Sequence, residues 1–164
     1  ALKILSNQCE IDIRNIVIMV AGKVEQDLDL PFETKLLGFL DGDKLLAEAY
    51  QVADLFVCPS IEDSGPMMIN ESIMCGTPVV AFDMGVANDL IITKETGYVA
   101  ELGNSSDLAK GIAYLLSRSS TEMSVISKKC HDIGMKKCHP DVQTKWFTDK
   151  LKQLTISNGR SLDV

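Results

Sequence analysis

Leu55-Phe56-Val57-Cys58-Pro59-Ser60-Ile61-Glu62-Asp63-Ser64-Gly65-Pro66-Met67-Met68-Ile69-Asn70-Glu71-Ser72-Ile73-Met74-Cys75-Gly76-Thr77-Pro78-Val79-Val80-Ala81-Phe82 holds the plan of the whole chain. Residues 55–59 form an apolar run that ends in proline and read as a short buried strand. A polar loop over 60–65 leads into a helix over 66–74. Proline at the first helical turn costs little, because its missing N–H has no helical partner there. Gly76 closes that helix, and residues 78–82 are again a continuous apolar strand. Strand, loop, helix, strand with connections this short predicts parallel strands with covering helices.

The same alternation extends on both sides. Residues 16–22 (Ile-Val-Ile-Met-Val-Ala-Gly) are β-branched, continuous and stopped by glycine, the pattern of a strand buried on both faces. Residues 35–39 read as a second short strand. A helix starts at Asp41-Gly42-Asp43 and repeats Leu45, Leu46, Ala49, Tyr50 and Ala53 on one face. Downstream, a short helix near 87–92 precedes a short edge strand over 97–100. Ser105-Ser106-Asp107 is expected to cap an amphipathic helix carrying Leu108, Ile112, Leu115 and Leu116. Two further helices fall near 121–137 and 141–156, the last with an apolar stripe of Trp146, Phe147, Leu151 and Leu154. The expected fold is α/β: a Rossmann-like, doubly wound, mostly parallel sheet with helices on both faces. Ligands of such sheets bind beyond the carboxyl ends of the strands. That rule singles out the loops after Gly22, Pro59 and Phe82.

Composition narrows the function classes. The chain has 164 residues, 46% hydrophobic and 24% charged, which suits one globular domain over 1–164. Sixteen Lys and Arg against 23 Asp and Glu leave a net charge of −7, so no nucleic-acid partner is expected. The apolar runs at 16–21 and 78–82 are far shorter than the ~20 residues of a membrane span. The opening residues show no n-region, h-region and cleavage site. Five cysteines without a spacing framework suit a reducing compartment, and a cytoplasmic location follows as the expectation. Cys58 and Cys75 sit in apolar runs and read as core. The pairs Cys130-His131 and Cys138-His139 lack the ligand spacing of zinc modules and read as core cysteine beside surface histidine. Lys128, Lys129, Lys136 and Lys137 form a basic stripe: a solvated face, with contact to anionic lipid as the alternative. The chain opens inside a helical pattern, without methionine or a preceding strand. It is therefore expected to be a piece of a longer protein, truncated at its N-terminus.

The stretch from Pro59 to Glu71 is where chemistry is expected. Backbone N–H groups of Ser64, Gly65, Met67 and Met68 would point out of the helix start, where the helix dipole favours an anion such as a diphosphate. Asp63 stands on the loop rim. Glu71 falls about one and a half turns into the helix and can aim back at the same crevice. A carboxylate there suits sugar or ribose hydroxyls. The alternative is an acidic loop and a capped helix with solvated carboxylates.

From Ala53 to Gly103, the pieces Ala-Asp-Leu-Phe-Val-Cys-Pro-Ser, Asp63-x7-Glu71, Met-Cys-Gly-Thr-Pro-Val-Val-Ala and Thr96-Gly97-Tyr98 resemble the C-terminal half of family-4, group 1 glycosyltransferases. The resemblance implies one half of a retaining, two-domain GT-B enzyme. It implies a UDP- or GDP-sugar as donor substrate, no cofactor and no metal ligand set. It assigns Glu71 to the ribose hydroxyls and Asp63 to the donor sugar, at a position where the family carries Glu. The family's Gly-Phe-Gly-Leu loop becomes Ser64-Gly65-Pro66-Met67, and Pro66 removes one N–H donor. Gly38, Phe39 and Leu40 resemble the segment lining the nucleotide base, and Lys23 lies over a neighbouring strand end. The acceptor and several catalytic contacts would come from an N-terminal domain absent from the chain, so the isolated piece is expected not to turn over. Surface polysaccharide assembly, with peripheral contact at the inner face of the membrane through a lipid-linked acceptor, is the role implied.

Rival readings fare less well. The G-x-G-x-x-G fingerprint of a nicotinamide-binding domain is missing after residues 16–21, and so is a G-x-x-x-x-G-K-[ST] phosphate loop. A nucleotide-sugar epimerase of the same fold and a non-catalytic, degenerate transferase module remain the two alternatives.

Overall fold

A computed structural model of the chain describes residues 1–7, 15–24, 28–63 and 66–157. Its elements are α1 (Leu2–Ser6), β1 (Val17–Ala21), β2 (Glu33–Gly38), α2 (Asp43–Val52), β3 (Phe56–Cys58) and α3 (Met67–Met74), then β4 (Val79–Phe82), α4 (Ala87–Leu90), β5 (Gly97–Ala100), α5 (Ser105–Leu116), α6 (Ser120–Lys137) and α7 (Pro140–Ser157). Every strand pair is parallel, and helices cover both faces, as the alternation predicts.

The core centres on β4. All four of its residues are buried, which explains its unbroken apolar sequence. β4 lies between β3 and β5, with Phe56 opposite Val79 and Val79 opposite Gly97. Ile69 and Ile73 of α3 and Leu108, Ile112 and Leu115 of α5 pack into the same core. At the turn before β4, Ser72 Oγ donates to the Thr77 carbonyl at 3.0 Å and Thr77 Oγ1 donates to the Tyr50 carbonyl at 2.6 Å. α6 closes onto α3 at Gly134, where a Cβ would come within 2.8 Å of Met74 Cα.

Two expectations are corrected. β1 is not buried on both faces: Val17 is 44% exposed and Ala21 is exposed. Among the described residues β1 pairs only with β2, in a sheet separate from β3-β4-β5. Ile16 and Ile18 lean on the main core while Val17 turns away, the two-residue period of a half-covered strand. The cap of α5 is Asn104, not Ser105-Ser106-Asp107. Asn104 Oδ1 accepts the N–H groups of Ser106 and Asp107 at 3.1 and 3.0 Å. Asp107 instead takes the Tyr98 hydroxyl at 3.1 Å and the Glu101 N–H at 2.9 Å.

The C-terminal helices separate the Cys-His pairs. Cys130 is in the core and its thiol donates to the Thr96 carbonyl at 3.2 Å. His131 faces outward, with Nδ1 at 2.7 Å from the Met74 carbonyl. Trp146 and Phe147 of the expected α7 stripe are each 59% exposed. No helix among the described residues is long and apolar enough to cross a membrane.

Candidate functional site

Parallel strands of one sheet send their carboxyl ends in one direction, so the loops after β1 and β2 leave the same end of their sheet, and the loop after β3 leaves the carboxyl end of the other. On the first two, the Gly22 N–H donates to the Gly38 carbonyl at 2.7 Å and joins the loops. Gly38 has φ +68°, a backbone that glycine adopts without strain. Beyond it Phe39 is 83% exposed, Leu40 is half-buried and Lys23 is exposed. An exposed phenylalanine on a glycine-hinged rim is available to stack on a planar ligand.

The third loop leads into α3. Ile69 and Ile73 are fully buried and fix the helix on the sheet. Pro66, extended at φ −63° and ψ 111°, precedes Met67, which is 64% exposed. The start of α3 therefore faces outward, and the N–H groups of Met67 and Met68 in its first turn lie at the positive end of the helix dipole, while the Ile69 N–H donates to the Pro66 carbonyl at 3.0 Å. Asp63 and Glu62 are exposed on the approach, while Ser64 and Gly65 lie outside the described residues.

Glu71 sits just over one turn into α3 and is half-buried. Its Oε2 accepts the Tyr50 hydroxyl at 3.1 Å. Burial, and then the Glu71 charge, push the Tyr50 phenol above its ordinary range. The Cys75 thiol, one turn beyond Glu71 at the C-terminal cap of α3, is pushed up by the same two causes. Burial pushes the Cys130 thiol up to about 12 and raises Cys138 as well. These three thiols stay protonated at neutral pH and are poor nucleophiles. The chemistry open to these loops and to the start of α3 is recognition by carboxylates, backbone amides and an aromatic ring.

The structure thus assembles Gly38, Phe39, Leu40 and Lys23 on one rim, and Asp63, Pro66, Met67, Met68 and Glu71 around α3. Strand hydrogen bonding does not run from one sheet to the other among the described residues. A cavity of about 280 Å³ lies elsewhere, against Lys94, Tyr114, Arg118 and Lys129. Two of its cations are already engaged, Lys129 with Glu95 and Arg118 with Glu122, each at 3.0 Å.

Residues 1–133 match the family model described as "Glycosyl transferases group 1". The chain belongs to the group 1 glycosyl transferases. Its relatives include the D-inositol 3-phosphate glycosyltransferase of Geodermatophilus obscurus, 36% identical over 75 residues, or 46% of this chain and 17% of that protein. The fold is shared with sucrose-phosphate synthase from Thermosynechococcus elongatus, with a TM-score of 0.67 and 22% identity over 76% of this chain and 31% of that one. It is also shared with Anabaena HepE in complex with UDP-glucose, with a TM-score of 0.66 and 23% identity over 82% of this chain and 40% of that one. This group 1 chain spans a minor part of the length of the relatives it matches.

Two side chains of this glycosyl transferase domain escaped the sequence reading. Tyr50 was counted on the apolar face of α2, although a buried phenol calls for a polar partner. Asn70, beside Glu71, has a buried Oδ1 that accepts no hydrogen bond from the described residues.

Proposed function

We propose that this chain is the donor-binding half of a retaining GT-B glycosyltransferase, which moves a sugar from a nucleoside-diphosphate sugar to an acceptor. The observation that carries the reading is Glu71: a carboxylate held at one oxygen by Tyr50, behind the outward-facing start of α3. In this reading Oε1 of Glu71 takes a ribose hydroxyl, and the N–H groups of Met67 and Met68 receive the diphosphate along the helix dipole. As the sugar leaves, negative charge grows on that diphosphate, and fixed N–H donors stabilise it without reorganising. Asp63 lies beside the donor sugar. Ser64 and Gly65 complete the phosphate loop, where Pro66 has no N–H to give. Gly38, Phe39 and Leu40 line the base, and Lys23 approaches from the neighbouring loop. The donor is a UDP- or GDP-sugar, and the UDP-glucose complex of HepE is the reason to try UDP first. An N-terminal acceptor domain on a longer polypeptide, a role in surface polysaccharide assembly and work at the inner face of a membrane complete the proposal.

Calorimetric titration with UDP, GDP and their sugars tests it. One nucleotide should bind saturably to the wild type, and Glu71→Ala should abolish or strongly weaken that binding. Equal affinity in wild type and variant would remove Glu71 from the site. Binding to no nucleotide would favour the degenerate module.

A further inference from the structure

We propose that Tyr50 is the positioning residue of this site: its hydroxyl anchors Oε2 of Glu71, so that Oε1 alone is presented to the ligand. The inference rests on the donor-site reading above and deepens it, by saying what the Tyr50 contact does for Glu71.

The argument starts from how firmly the ring is held. Tyr50 lies in the last turn of α2 and is 7% exposed. Its ring meets Phe56 of β3 edge-on, with centroids 5.5 Å apart at 87°. Its carbonyl accepts Thr77 Oγ1 at 2.6 Å, just before β4. Ring and backbone are thus tied to β3 and to the turn before β4, and close packing of this kind restricts the side chain's rotamers. The place of its hydroxyl is therefore set by the scaffold.

That hydroxyl reaches Glu71 Oε2 at 3.1 Å. A carboxylate only accepts hydrogen bonds, so the phenol is the donor. Glutamate has a flexible stem, and ordering it costs rotamer entropy. The Tyr50 contact meets that cost before any ligand arrives, which is the physical content of preorganisation. It also makes the two oxygens unequal: Oε2 is engaged toward α2, and Oε1 accepts no hydrogen bond among the described residues. A ligand hydroxyl then meets an acceptor of fixed position.

Tyr50→Phe keeps the ring and its packing on Phe56 and removes only the hydroxyl. It should melt close to the wild type and bind UDP about three- to ten-fold more weakly, the worth of one hydrogen bond. Its affinity for 2′,3′-dideoxy-UDP, which lacks the hydroxyls assigned to Glu71, should match the wild type's. Adding Tyr50→Phe to Glu71→Gln should cost nothing further. Equal weakening for UDP and dideoxy-UDP would mean a merely structural residue and overturn the proposal. So would a Tyr50→Phe variant that binds UDP like the wild type while Glu71→Gln does not. If the wild type binds UDP and Glu71→Gln binds it equally well, the ribose reading fails instead, and the Tyr50 role falls with it. Failure of the wild type to bind any nucleotide has the same consequence. Ultraviolet titration of the tyrosines probes the contact without ligand: Glu71→Gln should lower the ionisation of one tyrosine toward its ordinary range, and no change would refute the contact itself.

Discussion

Gly97 opens β5 directly opposite Val79 of the buried central strand. A Cβ built on it would stand 2.0 Å from the Val79 carbonyl oxygen and 2.9 Å from Ile91 Cγ2. The nearest atom is backbone, so no rotamer change relieves the clash and one strand must move by more than an ångström. Thr96 next door resists that movement. It is fully buried, and its Oγ1 accepts the Ile92 N–H at 2.8 Å and donates to the Leu90 carbonyl at 3.3 Å. Gly97→Ala should therefore cost about 3 kcal/mol, at the upper end for overpacking a core. For a domain of this length that lowers Tm by roughly 6–12 °C. Gly103→Ala is the control, with φ +75° and nothing within 4 Å of the added Cβ. It carries only the left-handed backbone penalty of about 1–2 kcal/mol. Thermal melts followed by circular dichroism, with urea midpoints, compare the two variants. Because Gly97 lies at the amino end of its strand, nucleotide affinity below the transition should survive. A Gly97→Ala protein that melts no lower than Gly103→Ala would refute the steric argument.

Asn104→Ala removes the cap of α5 and should cost about 1 kcal/mol, a Tm drop of roughly 2–4 °C; an unchanged melt would show that Ser105 or Asp107 takes over. The Cys130 thiol, ordinarily near 9.0, is pushed up to about 12 by burial, so the folded state holds its proton more tightly than the unfolded state does. Stability should then be level below about pH 9 and fall above it, by at most about 1.4 kcal/mol per pH unit from this group. Tyr50, Tyr98, Cys75 and Cys138 shift in the same direction and add to the alkaline loss. Urea midpoints under reducing conditions should show a shallower alkaline decline for Cys130→Ala than for the wild type, and parallel slopes would contradict the assignment.

Element type was legible because periodicity and punctuation agree over most of the chain. Pro59 and Gly76 close β3 and α3 near the expected places, and the i, i+4 pattern of Leu108 and Ile112 is buried as written. Periodicity failed where it had to stand in for neighbours. The run over 16–22 is apolar throughout, but burial on both faces depends on what lies beside a strand, and among the described residues β1 pairs only with β2. The α5 cap was misread for a related reason: Asn104, Ser105, Ser106 and Asp107 are all capping residues, and only geometry selects the one whose oxygen reaches the N–H groups of Ser106 and Asp107.

The site was legible in part, and the reason separates fold from function within the family likeness. Thr96, Gly97 and Tyr98 carry that likeness, yet each is accounted for by packing: Thr96 bridges two backbone groups, Gly97 leaves no room for a Cβ, and Tyr98 donates to Asp107. The strand residues Phe56, Val57 and Cys58 belong to the sheet in the same way. Packing does not explain the outward start of α3, where Met67 and Met68 are exposed. Glu71 stood out because a carboxylate at that spacing has an evident chemical use. Tyr50 did not, because its partner is 21 residues away and its spacing fits an apolar helix face. A residue that works by holding another leaves no local signature; it becomes visible only when the fold brings α2 and α3 together. Under the proposed donor-site reading, substitutions at Tyr50 and Glu71, not in the Thr96–Tyr98 turn, are therefore where loss of nucleotide binding should separate from loss of stability.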